Sequence, residues 1–292
     1  MYGSIVLNTP EKDRSMRTWS FAKGHGTLND FVLIKDRSGM LNPSDADVRF
    51  LCDRRAGIGA DGFLRAVKAG NMPEWDGPEN LWFMDYRNAD GSMAEMCGNG
   101  IRVFAQWLLE EDLATGDQLQ IATRAGLREV TVRRDGRLSA SMGVPTWSAE
   151  STPVRLGAIE WQGHPADVGN DHCVVQVGED ELPRLDLTQP LELDTVRFPK
   201  GANVEFVVQL GPSHVKMRVL ERGVGETMSC GTGVVAACLD LRQRAGRDSS
   251  DETYTVDVPG GTLKVGFDSA GEAILTGPAV IVARGKVTLP DA

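Results

Sequence analysis

Short apolar stretches of three to seven residues recur along the chain, and most of them are bounded by Gly, Pro, Asn or Asp. Stretches of this length, with such boundaries, are typical of strands in antiparallel sheets. They are too short for a membrane-spanning helix, which needs roughly 18 uninterrupted apolar residues. The strands predicted in this way are Phe31–Ile34, Leu81–Met84, Val130–Val132, Cys173–Val177, Val204–Leu210, Lys216–Leu220, Tyr254–Val258 and Ala279–Ala283.

Apolar residues at helical spacing mark three further segments, and two of them are long. The first follows Pro43 and opens at Ser44, a residue type that caps helix N-termini, and it is predicted to run to Asp53. The two longer helices are predicted over Gly100–Glu111 and Gly233–Arg244. Many strands and few helices favour an α+β fold with large, mostly antiparallel sheets.

Each long helix follows a Cys-Gly-x-Gly loop, which indicates an internal repeat. The loops are Cys97-Gly-Asn-Gly100 and Cys230-Gly-Thr-Gly233, and their cysteines lie 133 positions apart. A weaker pair, Asn29-Asp30 and Asn170-Asp171, lies 141 positions apart. A chain of 292 residues holds two copies of a unit near that length, so we predict two similar domains, each presenting one cysteine loop.

The predicted domain boundary lies in the stretch 143–153, which is rich in Pro and small polar residues. It divides the chain into an N-terminal domain of residues 1–145, which carries Cys97, and a C-terminal domain of residues 146–278, which carries Cys230.

Composition and charge remove several classes of function. Apolar residues make up 41% and charged residues 25% of the chain, as in ordinary globular proteins. The formal net charge is -10 and no basic stripe interrupts it, so nucleic acid is not an expected partner. The first residues lack the basic start and apolar run of a signal peptide, and no membrane span is predicted.

The five cysteines and four histidines are the candidate metal ligands and reactive groups. No two cysteines have Cys-x-x-Cys spacing and the histidines do not cluster, so no metal is expected. An odd number of cysteines without a secretion signal indicates free thiols in a reducing, cytoplasmic compartment. Gly57 and Gly59 are interpreted as turn glycines rather than a phosphate cradle, and no cofactor is expected.

A cysteine directly before Gly-x-Gly and a helix lies where backbone N–H groups are unpaired and the helix dipole favours an anion. Such a position is expected to lower the pKa of the thiol. The glycines allow a ligand to approach closely, and the same N–H groups can hold a carboxylate. One such loop alone fits a nucleophile, an anion site, or a tight turn around a buried cysteine.

Two such loops facing each other across a cleft predict a more specific chemistry. One thiolate would remove the α-proton of an amino acid, and the other thiol would return a proton to the opposite face. This exchange inverts a stereocentre without a cofactor. The helix N-termini would stabilise the charge that develops as the proton leaves, in a site closed to water.

The other reactive side chains have simpler interpretations. Cys52, Cys173 and Cys238 lie in apolar patterns and are predicted to pack in the core. His172 fits a substrate neighbour or an ordinary loop histidine equally well. Arg102 is interpreted as a solvated or structural charge.

The segments around the two loops resemble the diaminopimelate epimerase family, which belongs to the cofactor-independent, two-cysteine amino-acid racemases and epimerases. Each motif is modest alone, but together they span most of the chain in order. The matching segments are His25–Phe31, Arg55–Gly62, Asn88–Ser92 leading to Met96–Arg102, Gly169–Cys173, the surroundings of Asn203, and Glu221–Glu226 leading to Ser229–Gly233.

The resemblance implies epimerisation of LL-diaminopimelate to meso-diaminopimelate, on the route to lysine and the peptidoglycan cross-link, with Cys97 and Cys230 as the two acid–base residues. Arg222 would hold a carboxylate in a fork and Glu221 would pair with an ammonium group. The residues implied to contact the substrate are Asn29, Asn88, Gly98, Asn99, Asn170, Asn203, Glu221, Arg222, Gly231 and Thr232.

The resemblance also implies an architecture. It consists of two pseudo-symmetric domains, each a mostly antiparallel sheet wrapped round a central helix, with the active site in the cleft between them. The last strand, at about 279–292, would return to the N-terminal domain, and the protein would be a homodimer.

Two positions depart from the family pattern. Leu28 stands where the family more often has Gly, and Asp171 stands where it usually has Pro. Proline would fix φ at that loop, whereas Asp frees it and adds a negative charge near a zwitterionic substrate. The change at Asp171 bears on the positioning of Asn170, Leu28 lies in the loop before Asn29, and neither change touches a cysteine.

Three alternative functions use the same features. A proline or hydroxyproline racemase would share the two-thiol chemistry, although those relatives commonly have His where Asn99 stands and Asp where Glu221 stands. A thiol redox sensor would join Cys97 and Cys230 in a disulfide. An amino-acid-binding protein would bind the substrate without exchanging its α-proton.

Overall fold

The structure, a computed structural model, describes residues 17–247 and 252–290. The signal-peptide prediction concerns residues 1–16, which lie outside this range, as do the last two residues of the predicted C-terminal strand. The α-helices in the described residues are α1 (Asp45–Cys52), α2 (Gly98–Glu110) and α3 (Gly231–Arg244). The strands are β1 (Thr18–Gly26), β2 (Asn29–Lys35), β3 (Gly62–Lys68), β4 (Trp82–Asn88), β5 (Gln118–Thr123), β6 (Gly126–Val132), β7 (Leu138–Ser141), β8 (Thr146–Trp147), β9 (Thr152–Leu156), β10 (Ile159–Asp167), β11 (Asp171–Gln176), β12 (Leu191–Leu193), β13 (Asn203–Gly211), β14 (His214–Glu221), β15 (Gly225–Thr227), β16 (Thr253–Val258), β17 (Gly261–Phe267), β18 (Ala273–Gly277) and β19 (Val280–Thr288).

All three predicted helices are present, and their starts are fixed by capping. Ser44 caps α1 through a capping box, in which its hydroxyl accepts from the Asp47 N–H and the Asp47 carboxylate accepts from the Ser44 N–H. Cys97 and Cys230 are the N-cap residues of α2 and α3. The two long helices therefore begin two residues earlier than predicted.

The strand order repeats, which confirms the predicted internal repeat. In the N-terminal half, β2 is parallel to β3, β3 is antiparallel to β4, and β4 is parallel to β5. In the C-terminal half, β11, β13, β14 and β16 follow the same sequence of parallel, antiparallel and parallel pairings. Helix α2 connects β4 to β5, and α3 connects β14 to β16. The fold is thus α+β, with one long helix in each half.

Each long helix lies inside its own apolar core. Helix α2 is buried from Gly98 to Ala105 and packs with Phe31, Leu64 and Met84 of the neighbouring strands. Helix α3 is buried from Gly233 to Arg242, in a core to which strands β10, β11, β13, β14, β16, β17 and β18 contribute. A helix that is buried on all sides must be enclosed by its sheet.

The chain crosses between the halves near its middle and again at its end. Strand β8 pairs with β10, whereas β7 pairs with β6 and β18. Strand β19 returns to pair with β1 along its whole length. We propose, from these pairings, that the N-terminal domain comprises residues 1–145 with the last strand, and the C-terminal domain residues 146–278.

Candidate active site

The N-termini of α2 and α3 meet at their first glycines. A Cβ atom added to Gly231 would lie 3.0 Å from the Cα of Gly98 and 3.2 Å from the backbone nitrogen of Asn99. No side chain fits between two backbones that are this close, which explains why glycine occupies the position. The two Cys-Gly-x-Gly loops of the repeat are therefore in direct contact.

The amide of Asn99 joins the two loops by hydrogen bonds. Its Nδ2 donates to the backbone oxygen of Ser229 at 2.9 Å and to the Ser229 Oγ at 3.2 Å. It also donates to Oδ1 of Asn29 at 3.2 Å, and that oxygen lies 3.8 Å from the Cys97 Sγ. The structure thus brings Asn29, Asn99 and Cys97 together with the residue that precedes Cys230.

The thiol of Cys97 is half-buried and accepts a hydrogen bond from the Gly100 N–H at 3.3 Å. Burial raises the pKa of this thiol to about 11, and the negative charge of Glu221 adds to the effect. The N–H groups of Gly100 and Asn99 and the charge of Arg102 act in the opposite direction without cancelling it. The prediction that the helix N-terminus lowers the pKa is wrong for the free protein, because desolvation outweighs the dipole.

The thiol of Cys230 is buried more deeply. Its Sγ lies 3.4 Å from the Thr232 hydroxyl and 3.9 Å from Nδ2 of Asn203, which holds the Arg222 N–H through its own Oδ1 at 2.9 Å. Burial raises the pKa of Cys230 well above its ordinary value, and the charges of Glu221 and Glu205 raise it further. Here too the pKa shift is opposite to the one predicted.

Glu221 is the last residue of β14 and Arg222 follows it, and the two side chains face different partners. The carboxylate of Glu221 accepts a hydrogen bond from the Thr227 hydroxyl, and burial raises its pKa. The charge of this carboxylate acts on both cysteines. The Arg222 side chain is exposed and its guanidinium lies 3.4 Å from the carbonyl oxygens of Lys200 and Gly201. Arg222 is therefore linked to the Cys230 thiol by its backbone N–H, which donates to Asn203, and not by its side chain.

Behind Cys230 lies a fully buried pair, His172 and Glu205. The His172 Nδ1 is 2.7 Å from a carboxylate oxygen of Glu205, and its Nε2 is 3.1 Å from Oδ1 of Asn170. The second Glu205 oxygen has no partner among the described residues. His172 is therefore a buried residue of β11 that contacts Asn170, and the interpretation as an ordinary loop histidine is wrong. Its interpretation as a substrate neighbour stays a prediction.

Asn88 is hydrogen-bonded to an aromatic residue of the site, Tyr86. Its Oδ1 accepts from the Tyr86 hydroxyl at 2.9 Å, and its Nδ2 donates to the Ser92 hydroxyl at 3.0 Å. Burial raises the pKa of Tyr86 well above its ordinary value, with further contributions from the charges of Cys97, Glu221 and Cys230. Tyr86 therefore lies within electrostatic range of both thiols, although no sequence motif marks it.

Tyr86 and Glu205 are the neighbours that sequence reasoning missed. Glu205 had a detectable signal, because it is a charged residue inside the apolar stretch Val204–Val208. Tyr86 had none, since an aromatic residue in a strand is ordinary. The three remaining cysteines, Cys52, Cys173 and Cys238, are buried in apolar clusters, as predicted.

The described residues offer little for a metal or nucleotide. No group of three or more His, Cys, Asp and Glu side chains within residues 17–247 and 252–290 is arranged to hold a metal ion. The segment 57–62 has Gly-x-Gly-x-x-Gly spacing, but it leads from α1 into β3, whereas the dinucleotide fingerprint leads from a strand into a helix. In the same part of the chain, no helix is long and apolar enough to cross a membrane.

The architecture defines a class of two-domain α+β proteins that are found among solved structures. A hydroxyproline epimerase from Agrobacterium vitis, solved with bound trans-4-hydroxy-L-proline, superposes with a TM-score of 0.68 over 94% of each chain at 15% identity. A phenazine biosynthesis protein of the PhzF family from Bacillus anthracis superposes with a TM-score of 0.67 over 94% of this chain and 100% of its own, also at 15% identity. These similarities establish the fold.

Sequence similarity then identifies the family. The chain belongs to the diaminopimelate epimerase family, whose family model matches residues 21–148 and 165–287. Diaminopimelate epimerase of Streptomyces coelicolor is 46% identical, with 91% of this chain and 94% of the relative covered. The same enzyme of Corynebacterium glutamicum strain R is 46% identical, with 93% and 99% covered, and that of Thermobifida fusca is 46% identical, with 92% and 98% covered.

Proposed function

We propose that this protein interconverts LL- and meso-diaminopimelate by a two-base mechanism that needs no cofactor. The observation that carries the proposal is the direct contact between two cysteine-capped helix N-termini. The similar proteins of Streptomyces, Corynebacterium and Thermobifida bear the name diaminopimelate epimerase, which supports the choice of substrate.

The chemistry requires one thiolate and one thiol. The thiolate takes the α-proton of the substrate as an S–H bond forms and the C–H bond breaks, which leaves the electron pair on the α-carbon and its carboxylate. The opposite thiol then gives its proton to the other face of that carbon. One proton enters and one leaves, so the two sulfur atoms exchange roles in each turnover.

The backbone supplies the stabilisation of the intermediate. The first N–H groups of a helix have no intrahelical partner, so those of Gly98, Gly231 and Thr232 can hold the carboxylate next to the reacting carbon, together with that of Asn99, which also faces the Cys97 sulfur. Because the two helix dipoles converge on that carboxylate, negative charge is favoured at the point where it develops.

The second amino-acid end of the substrate needs partners of its own. We propose that Glu221 receives the distal ammonium group and that Arg222 turns from the carbonyl oxygens of Lys200 and Gly201 to receive the distal carboxylate. Asn29, Asn88, Asn170 and Asn203 would complete the contacts, since neutral amides both donate and accept.

We also propose that the protein acts as a cytoplasmic homodimer in lysine and peptidoglycan precursor biosynthesis. The family membership supports this setting. Sedimentation equilibrium of the purified protein tests the dimer directly, because the 31.6 kDa chain and its dimer differ twofold in mass.

The function is tested by proton exchange. The reduced protein is incubated with LL-diaminopimelate in D2O and the α-proton signal is followed by NMR, with trans-4-hydroxy-L-proline as a parallel substrate. Loss of the signal with formation of the meso isomer is expected. Exchange with hydroxyproline alone would instead assign the protein to the activity named for its structural neighbour.

Substitution of the thiols tests the mechanism. Cys97→Ser and Cys230→Ser are each expected to reduce turnover by at least about 10²-fold, because a hydroxyl is a far weaker acid than a thiol. Cys52→Ser, in the separate core beside α1, is the matched control and is expected to retain turnover. Near-normal turnover in either site variant would contradict the two-base mechanism.

A further inference from the structure

Arg102 is the fifth residue of α2, and its side chain is completely buried. Its Nη1 donates to the Gly98 carbonyl oxygen at 2.7 Å and its Nη2 donates to Oδ1 of Asn99 at 2.8 Å. Its Nε has no partner in the described part of the chain. Both partners belong to the loop that carries Cys97, so the buried guanidinium fixes the position of this loop by two hydrogen bonds.

The electrostatic surroundings of Arg102 are unusual. The buried side chain of Arg65 forms ion pairs with Asp36 and Asp85, as buried cations usually do. For Arg102, the charge that acts on it is that of the Cys97 thiolate. Burial lowers the pKa of Arg102 to about 10, so the side chain remains cationic at neutral pH. The fold therefore places a buried positive charge against Gly98 and Asn99, the two residues that follow the Cys97 thiol in the chain.

The other half of the repeat has the opposite arrangement. The residue that corresponds to Arg102 is the fifth residue of α3, Val235, which is fully buried and apolar. The charged groups that act on Cys230 are the carboxylates of Glu221 and Glu205. His172 lies between Asn170 and Glu205 and also acts on Glu221.

We propose that Arg102 is a positioning residue that assigns the thiolate to Cys97: its guanidinium holds Gly98 and Asn99 in place and supplies the positive charge that lets Cys97 ionise before Cys230. This assignment rests on the proposed two-thiol function. In the free protein, Cys97 is then the base and Cys230 the acid. The isomer whose α-hydrogen faces Cys97 reacts first, and the reverse reaction needs the proton to be redistributed between the two sulfurs.

The pKa directions agree with this order. Burial raises the pKa values of both thiols, but Arg102 opposes the rise at Cys97, whereas Glu205 adds to it at Cys230. Glu221 acts on both thiols and does not distinguish them. Tyr86, whose own pKa is raised well above the ordinary value by burial, is neutral under the same conditions.

The test measures thiolate formation without any substrate. Reduced protein is treated with iodoacetamide at a series of pH values, and the alkylation rates of Cys97 and Cys230 are read separately by peptide mass spectrometry. Because the thiolate is the reactive form, the midpoint of each pH profile reports ionisation irrespective of accessibility. In the unsubstituted protein, the Cys97 midpoint is expected at least about one pH unit below that of Cys230, a tenfold difference in thiolate.

Two substitutions separate the charge of Arg102 from its hydrogen bonds. Arg102→Gln keeps a donor and removes the charge, and it is expected to raise the Cys97 midpoint by about one pH unit. Arg102→Lys keeps the charge and is expected to shift the Cys97 midpoint by less than half of that. The matched control is Arg242→Gln, which removes a buried charge roughly 18 Å along α3 from Cys230 and should move neither midpoint.

Each outcome decides the assignment. The assignment is overturned if Cys230 ionises at a lower pH than Cys97 in the unsubstituted protein. It is also overturned if the Cys97 midpoint shifts equally in Arg102→Lys and Arg102→Gln. If the Gln variant fails to fold, the order of the two midpoints in the unsubstituted protein still decides. A protein that shows the expected order but exchanges no α-proton of diaminopimelate would refute the proposed function while leaving the role of Arg102 intact.

Discussion

Thr27 and Leu28 form the two-residue turn between β1 and β2, and both adopt a left-handed backbone, with φ of 50° and 62°. Positive φ at both positions is the conformation of a type I′ turn, which favours Asn and Gly. The left-handed φ of Leu28 gives a physical reason to expect Gly at this position. Leu28 itself is half exposed, so little burial offsets the backbone cost.

Leu28→Gly is therefore expected to raise stability. Removing the left-handed strain returns about 1–2 kcal/mol, and the greater freedom of glycine in the unfolded chain takes back about 0.5–1 kcal/mol. A net gain of about 0.5–1 kcal/mol should appear as a higher urea midpoint. Leu210→Gly, at a similarly exposed leucine inside β13, should lower the midpoint instead. A lower midpoint for both variants would refute the strain argument.

Residue identity alone reveals the cysteines but not the charges behind them. The Cys-Gly-x-Gly pattern predicts two thiols at helix N-termini, and both are N-cap residues in the structure. In the sequence, Arg102 looks like an ordinary charged residue of a helix. Its burial depends on the sheet that encloses the helix, which the sequence around Arg102 does not reveal. Glu205 is likewise completely buried only because β11 and α3 cover it.

At the scale of elements, strong apolar patterns predict more reliably than mixed ones. The predicted helices and the continuous apolar strands, such as β13, are present. Eleven of the nineteen strands in the described residues are not among the eight named from the sequence. In two of them, β3 and β17, charged and polar residues interrupt the apolar ones and the apolar runs are short. Strands of this kind are recognised from their partners, which a single sequence does not display.

A buried ion network ties three neighbouring strands together. Asp85 on β4 accepts from Arg65 of β3 at 2.7 Å and from Arg124, just after β5, at 2.5 Å, and Arg87 lies 3.8 Å away. Burial alone would raise the pKa of Asp85, but the Arg124 hydrogen bond and the three positive charges outweigh it, so the pKa is lowered. The carboxylate is therefore ionised in the fold wherever it is ionised in the unfolded chain.

Asp85→Asn is expected to destabilise the protein by roughly 3–5 kcal/mol at pH 7, because it leaves buried guanidinium groups without their counter-charge. The pKa of Asp85 is lower in the folded protein than its unfolded value near 3.8, so the ionised carboxylate adds to stability at pH values above 3.8. This contribution is lost as the pH falls through the folded pKa. The difference between the two proteins in urea unfolding should therefore shrink as the pH is taken below about 3.8. Asp180→Asn, at an exposed aspartate, provides the control, and an equal effect there would contradict the prediction.

At the scale of the whole molecule, the repeat predicts two halves but not the contacts that join them. The joining contacts connect residues far apart in sequence, such as Asn99 with Ser229 and Thr27 with Ser229, which are 130 and 202 positions apart. Each participant is a common polar residue with no periodic signal. We call these contacts between the two halves, Asn99 with Ser229 and Thr27 with Ser229, the seam. The seam forms only when the chain folds, and its residues lie close in sequence to Cys97 and Cys230.

The Thr27–Ser229 hydrogen bond, at 2.8 Å between two buried hydroxyls, offers a way to test whether the seam sets the distance between the thiols. Thr27→Val and Ser229→Ala are each expected to cost about 1–3 kcal/mol, since each leaves a buried hydroxyl or amide short of a partner. Their coupling in a double-mutant cycle should appear both in stability and in the exchange rate of diaminopimelate.

Ser139 and Thr276 form a second hydroxyl pair between the two halves, at 2.7 Å, where β7 pairs with β18. Ser139→Ala and Thr276→Val should lower stability but change the exchange rate less, because neither hydroxyl is hydrogen-bonded to a cysteine loop. If both pairs affect exchange equally, the Thr27–Ser229 hydrogen bond has no special part in placing the thiols, and the loss of turnover follows from general destabilisation.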